Sequence, residues 1–143
     1  MILGIGCDIL DIKRFKKAAS AAFIRHVFTK AEQAVAQSLK EDKKWAYFAK
    51  RFAAKEACSK AVGTGIGKHI GWQDISILNN PQGAPVLKLS RKAKSFIQNH
   101  FKCQKFKIHI SLSDDHQAMA FVIFEKELFN GNFRRQNRFI DKI

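Results

Sequence analysis

The run Lys43-Lys44-Trp45-Ala46-Tyr47-Phe48-Ala49-Lys50-Arg51-Phe52-Ala53-Ala54-Lys55-Glu56-Ala57-Cys58-Ser59-Lys60-Ala61-Val62, closed by Gly63, is where the fold of this chain is decided. It is rich in Ala, Lys and Phe, contains neither Gly nor Pro, and stops at a glycine suited to a left-handed cap. A helix of about five turns, starting at Glu41 or Asp42, follows from that composition. Phe48, Phe52, Glu56 and Lys60 recur every four residues, so a carboxylate and an ammonium continue a stripe opened by two large rings. One reading is an i,i+4 ion pair on a solvated face. The other is a partly desolvated site, in which the carboxylate needs a partner such as a metal ion shared with a second carboxylate.

Upstream, Ile2 to Ile9 is an apolar run with two interposed glycines and reads as a short strand ending near Cys7 and Asp8. Asp8 then sits at a strand end, where it can meet a helix face, and Asp11 competes with it as the second carboxylate. Either aspartate could instead cap the next helix. From Asp11 to Val27, Ile12, Phe15, Ala19, Ala22, Phe23 and Val27 recur at helical spacing, which predicts one amphipathic helix. Between Ile12 and Ala31 the charged residues are Lys13, Arg14, Lys16, Lys17, Arg25 and Lys30, with no acidic one, a patch of single sign suited to an acidic surface as well as to water. Thr29 followed by Glu32 is a capping-box pattern and starts a short helix from about Lys30 to about Leu39.

Downstream, Gly63-Thr64-Gly65-Ile66-Gly67 follows a helix, the reverse of the order in a P-loop, so a cap with a tight turn explains it unaided. If phosphate binds there, the positive charge must come from Arg51, Lys60, Lys68 or a metal. Trp72 to Leu78 and Pro85 to Leu89 read as a hairpin around Asn79 to Ala84, and Ser90 to His100 as an amphipathic helix. Phe106 to Leu112 and Met119 to Glu125 read as two strands around the polar turn Ser113 to Gln117. The pattern is therefore one α+β domain over residues 1–125, followed by a basic extension over 126–143 that is either a tail or a docking segment.

Composition sets the outer limits. The chain has 143 residues, 46% of them apolar and 13 of them Phe, which is enough for one packed core and excludes a largely disordered chain. Twenty-six Lys and Arg against 12 Asp and Glu give a formal charge of +14, so the partner is expected to be acidic. No apolar run approaches a membrane span or a signal-peptide core. Cys7, Cys58 and Cys103 are widely spaced and odd in number, and the five histidines lack metal-ligand spacing. A cytoplasmic location follows as an expectation.

Taken together, several segments resemble the holo-acyl-carrier-protein synthases, the small bacterial type of 4′-phosphopantetheinyl transferase. They are Gly4-Ile5-Gly6-Cys7-Asp8-Ile9-Leu10-Asp11-Ile12-Lys13-Arg14, Phe28-Thr29-Lys30-Ala31-Glu32, and above all Arg51-Phe52-Ala53-Ala54-Lys55-Glu56-Ala57-Cys58-Ser59-Lys60-Ala61-Val62-Gly63-Thr64-Gly65-Ile66-Gly67. Asn80-Pro81-Gln82-Gly83-Ala84-Pro85 and His109-Ile110-Ser111-Leu112-Ser113 extend the likeness, which runs from Ile2 to about Glu125.

The resemblance implies an antiparallel sheet packed on a long central helix, assembled as a homotrimer with the active site at a subunit boundary. It implies transfer of the 4′-phosphopantetheine arm of coenzyme A to a serine of apo-acyl carrier protein, with release of 3′,5′-ADP, in support of fatty acid biosynthesis. By residue, Asp8 and Glu56 would hold Mg²⁺, Lys60 would add positive charge, and Glu56 or a metal-held water would take the serine proton. Coenzyme A would be contacted through Arg51, Lys60, Gly63, Thr64, Gly65, Pro85 and Ser111. Lys13, Arg14, Lys17 and Arg25 would meet the acidic carrier protein. The chain departs from many relatives after Ser113, where Asp114 and Asp115 stand in place of a histidine, and no role passes to His116.

Two rival readings are a nucleic-acid-binding module, favoured by the charge and by Phe129, Phe133, Arg134, Arg135, Arg138 and Phe139, and a non-catalytic carrier-protein-binding module. No helix-turn-helix, zinc-finger or RNP-like motif supports the first.

Overall fold

The computed structural model describes residues 1–128. In chain order the elements are β1 (Ile2–Asp11), α1 (Ile12–Ala18), α2 (Ala21–Val27), α3 (Lys30–Gln37), α4 (Glu41–Val62), β2 (Ile75–Asn79), β3 (Pro85–Leu89), α5 (Arg91–His100), β4 (Phe106–Asp114) and β5 (Gln117–Lys126). β1, β5 and β4 form an antiparallel sheet in that order, and β2 and β3 form a separate hairpin. The α+β class with antiparallel sheets and a long helix is as expected.

What joins sheet to helix is the absence of side chains. A Cβ on Gly4 would lie 2.0 Å from the Ala61 carbonyl oxygen, and one on Gly6 would lie 2.0 Å from that of Ala57. Two residues of strand advance by about 6.6 Å and four of helix by about 6 Å, so glycines two apart can track alanines four apart. β1 therefore lies directly on α4. Ala53, Ala57, Ala61, Ala120, Val122 and Phe124 fill this core, and Ile70, Ile75, Ile77 and Ile97 close its other side.

Several boundaries differ from the sequence reading. β1 does not stop at Cys7 and Asp8, because β5 pairs with it as far as Asp11 opposite Gln117, so Asp8 is inside the strand, opposite Ala120. The predicted single helix over 11–27 is two helices. Ala19 is extended, and the Ser20 hydroxyl accepts the Phe23 N–H as a new N-cap. That bend lets Phe15 and Phe23 both pack on Phe52, at ring-centroid distances of 5.6 and 5.7 Å. Trp72 belongs to a 3₁₀ turn ahead of β2, and α3 ends at Gln37. The polar turn is shorter than expected, since Ser113, Asp114 and Gln117 are in strands.

Other expectations hold. Gly63 caps α4 at φ +86°, a left-handed conformation, and both halves of the Thr29–Glu32 capping box form. Of the proposed 126–143 extension, Lys126 closes β5, whereas Phe129 and the Arg-Phe cluster beyond it lie outside the described residues.

Candidate active site

Alternation along β1 puts Asp8 on the same face as Gly4 and Gly6, toward α4. Lys60, one turn beyond Glu56, donates from Nζ to Asp8 Oδ1 at 2.8 Å and to the Cys7 carbonyl at 3.2 Å. Burial holds the Glu56 carboxyl above the usual range, the negative charge of Asp8 pushes it further, and Lys60 pulls it back in part. The bond to Asp8 raises the Lys60 ammonium. The stripe noted in the sequence thus leaves the core in steps. Phe48 is buried, Phe52 and Glu56 are half-buried, and Lys60 reaches the surface. Three charged groups, one from β1 and two from adjacent turns of α4, lie at one edge of the strand–helix contact.

Asp11 does not join them. Its carboxylate accepts the Arg14 N–H at 2.7 Å and caps α1. Asp8 and Glu56 offer hard oxygen donors, a set suited to Mg²⁺. No cluster of three or more metal-ligating side chains occurs among the described residues, so water and phosphate oxygens would have to complete such a shell.

The other expected residues are spread more widely. Arg51 is buried, with its guanidinium 3.8 Å from the Tyr47 ring centre and donating to Asn79 Oδ1 at 2.6 Å. Gly63, Thr64 and Gly65 form an exposed turn beyond Lys60. Pro85 pairs with Asn79 in the hairpin. Ser111 stands opposite Phe121 on the sheet face turned away from α4, so within one chain it is separated by the sheet from Asp8 and Glu56. Lys13, Arg14, Lys17 and Arg25 are exposed on α1 and α2. Asp114 is paired with Lys50, and Asp115 lies 3.8 Å from His116 at the sheet end.

One feature escaped the sequence reading. Glu32 and Lys55 form a fully buried ion pair at 2.9 Å. Lys55 also donates to the Val27 and Trp72 carbonyls, and Glu32 accepts the Thr29 and Ile77 N–H groups. The available signal was a second row on α4, in which Tyr47, Arg51, Lys55 and Ser59 repeat every four residues among alanines, and all four are buried.

A sheet laid by glycines against a long helix, with a carboxylate from each and a lysine bonded to that of the strand, defines a class of protein. A model of the 4′-phosphopantetheinyl transferase superfamily matches residues 4–122. The chain belongs to that superfamily. Among its relatives, the holo-[acyl-carrier-protein] synthase of Bartonella bacilliformis is 44% identical over 134 residues, covering 87% of this chain and 96% of that protein. That of Bartonella quintana is 41% identical over 130 residues with the same coverage. A crystal structure of the Bacillus anthracis holo-(acyl-carrier-protein) synthase in complex with CoA (3′,5′-ADP) superposes with a TM-score of 0.75 at 38% identity, over 89% of this chain and 99% of that one. The Neisseria meningitidis synthase gives 0.77 at 33% identity, over 88% and 100%.

Proposed function

We propose that this chain is a holo-[acyl-carrier-protein] synthase, which moves 4′-phosphopantetheine from coenzyme A to a serine hydroxyl of an apo-acyl carrier protein. The observation that carries this reading is the convergence of Asp8, Glu56 and Lys60 in a protein of this superfamily. The serine oxygen forms a bond to the phosphorus bearing the pantetheine arm, the bridging oxygen leaves with 3′,5′-ADP, and the serine proton passes to a base. Mg²⁺ held by Asp8 and Glu56 would stabilise negative charge on the diphosphate. Lys60 supplies fixed positive charge beside the phosphates, and its bond to Asp8 keeps that carboxylate oriented before substrate arrives. The base is Glu56, whose proton affinity is raised by burial and by Asp8, or a water at the site.

The exposed basic faces of α1 and α2 fit the acidic carrier protein through Lys13, Arg14, Lys17 and Arg25. Ile5, Ile9, Met119 and Phe121 leave the outer face of the β1-β5-β4 sheet apolar and exposed, which fits burial in a homotrimer. Ser111 lies on that face, and in such an assembly coenzyme A would be contacted from two chains. No helix among the described residues is long and apolar enough to cross a membrane, and Cys7, Cys58 and Cys103 are free thiols. A cytoplasmic enzyme supporting fatty acid biosynthesis agrees with both. The decisive experiment incubates the protein with coenzyme A, Mg²⁺ and apo-acyl carrier protein and reads the carrier by intact mass. Addition of phosphopantetheine is expected. No mass gain on any carrier, together with salt-sensitive nucleic-acid binding, would overturn the reading.

A further inference from the structure

Helix α2 ends without the usual devices. Its C-cap, Phe28, is extended, and no glycine follows to fold the chain back over the last carbonyls. Those carbonyls are taken up instead by side chains from distant parts of the sequence. Gln73 Nε2 donates to the carbonyls of Arg25, His26 and Phe28 at 3.2, 3.0 and 2.9 Å, its two hydrogens being shared among three acceptors. Lys55 Nζ donates to the Val27 carbonyl at 2.8 Å, and Gln33 adds a second bond to that of Phe28 at 2.8 Å. Four consecutive carbonyls, 25 to 28, are thereby fixed from outside the helix. Lys55 immediately precedes Glu56 on α4, so the clasp joins the helix bearing Arg25 to the turn bearing the candidate catalytic carboxylate.

We infer that Gln73 is a positioning residue for the carrier protein, acting with Lys55 to hold the end of α2 so that Arg25 is presented in a fixed pose. This rests on the reading that the basic face of α1 and α2 receives the carrier. A seven-residue helix has little stability of its own, so its pose is set by what grips its ends. Phe23 against Phe52 secures one side, and the clasp secures the carbonyl end. Gln73 is not one of the residues assigned above to coenzyme A or to the reaction, and it is exposed, so it can be replaced without opening the core.

The test uses full-length protein carrying Gln73→Met, which keeps the side-chain length and removes both donors. The Michaelis constant for apo-acyl carrier protein is expected to rise by about tenfold, the scale of a few lost hydrogen bonds, while that for coenzyme A stays unchanged. Combined with Arg25→Ala, the two effects should be far from additive, because Gln73 acts through the placement of Arg25. Backbone amides around 24–29 should exchange faster while those of α4 do not. An unchanged carrier constant, or strictly additive effects in the double variant, would overturn the inference. If wild-type protein transfers nothing, the functional reading has failed and the carrier role fails with it. Amide exchange then decides whether the clasp itself exists, and unchanged exchange around 24–29 would remove that too.

Discussion

Glu56 shows how one position can be legible in kind and hidden in degree. Its spacing from Phe48 and Phe52 marks a carboxylate on an apolar stripe, but only the structure brings Asp8 against it. Because its folded proton affinity is raised, ionising it opposes folding. The cost is absent below the unfolded carboxyl range, grows as pH rises through it, and levels off above the folded value. Glu56→Gln should therefore melt no lower than wild type, with an advantage that appears as pH rises through the carboxyl range in thermal denaturation. The same variant should lose about 10²–10³-fold or more in transfer rate, measured by intact mass of the carrier. Unimpaired transfer would remove Glu56 from the mechanism. Cys58, four residues from the equally buried Ala54, has its thiol pushed up to about 12 by burial, so it packs in the core and is no nucleophile.

At the scale of elements, the Glu32–Lys55 pair decides how α3, α4 and the β2 hairpin fit together. A buried ion pair can often be replaced by apolar residues at little cost. Here four of its bonds run to backbone groups of Val27, Trp72, Thr29 and Ile77, which an apolar pair would leave unsatisfied. Glu32→Leu alone is expected to lose about 3–5 kcal/mol in urea denaturation, and the double variant Glu32→Leu/Lys55→Met should recover little of it. Full recovery would show that the backbone bonds contribute nothing. The capping box at Thr29 was plain in the sequence because it spans three residues. The partner of Glu32 was not, because 23 positions separate it from Lys55 and no local pattern encodes that distance. The break at Ser20 was missed for a related reason, since hydrophobic periodicity ran unbroken through it while the hydroxyl captured a backbone N–H.

For the whole molecule, two surfaces with different physics remain open. The α1–α2 surface is cationic, and the outer sheet face, with Ile5, Ile9, Met119 and Phe121, is apolar. Phe121→Lys places a charge in the middle of the second face. We expect it to convert a trimer to monomers in sedimentation velocity and to abolish transfer with it, whereas assembly unchanged by this substitution would argue that the sheet face is not the subunit contact. Helix α4 with its glycine cap and the Thr29–Glu32 capping box were readable from the sequence, because each is written in spacing of a few residues or in backbone preference. Only the tertiary structure decided that Asp8 lies within a strand facing α4, that Lys60 bridges to it, and that the end of α2 is gripped by Gln73 and Lys55. These depend on strand register and on close approach of distant segments, and register is fixed by the pairing of β1 with β5, which no single stretch of sequence contains.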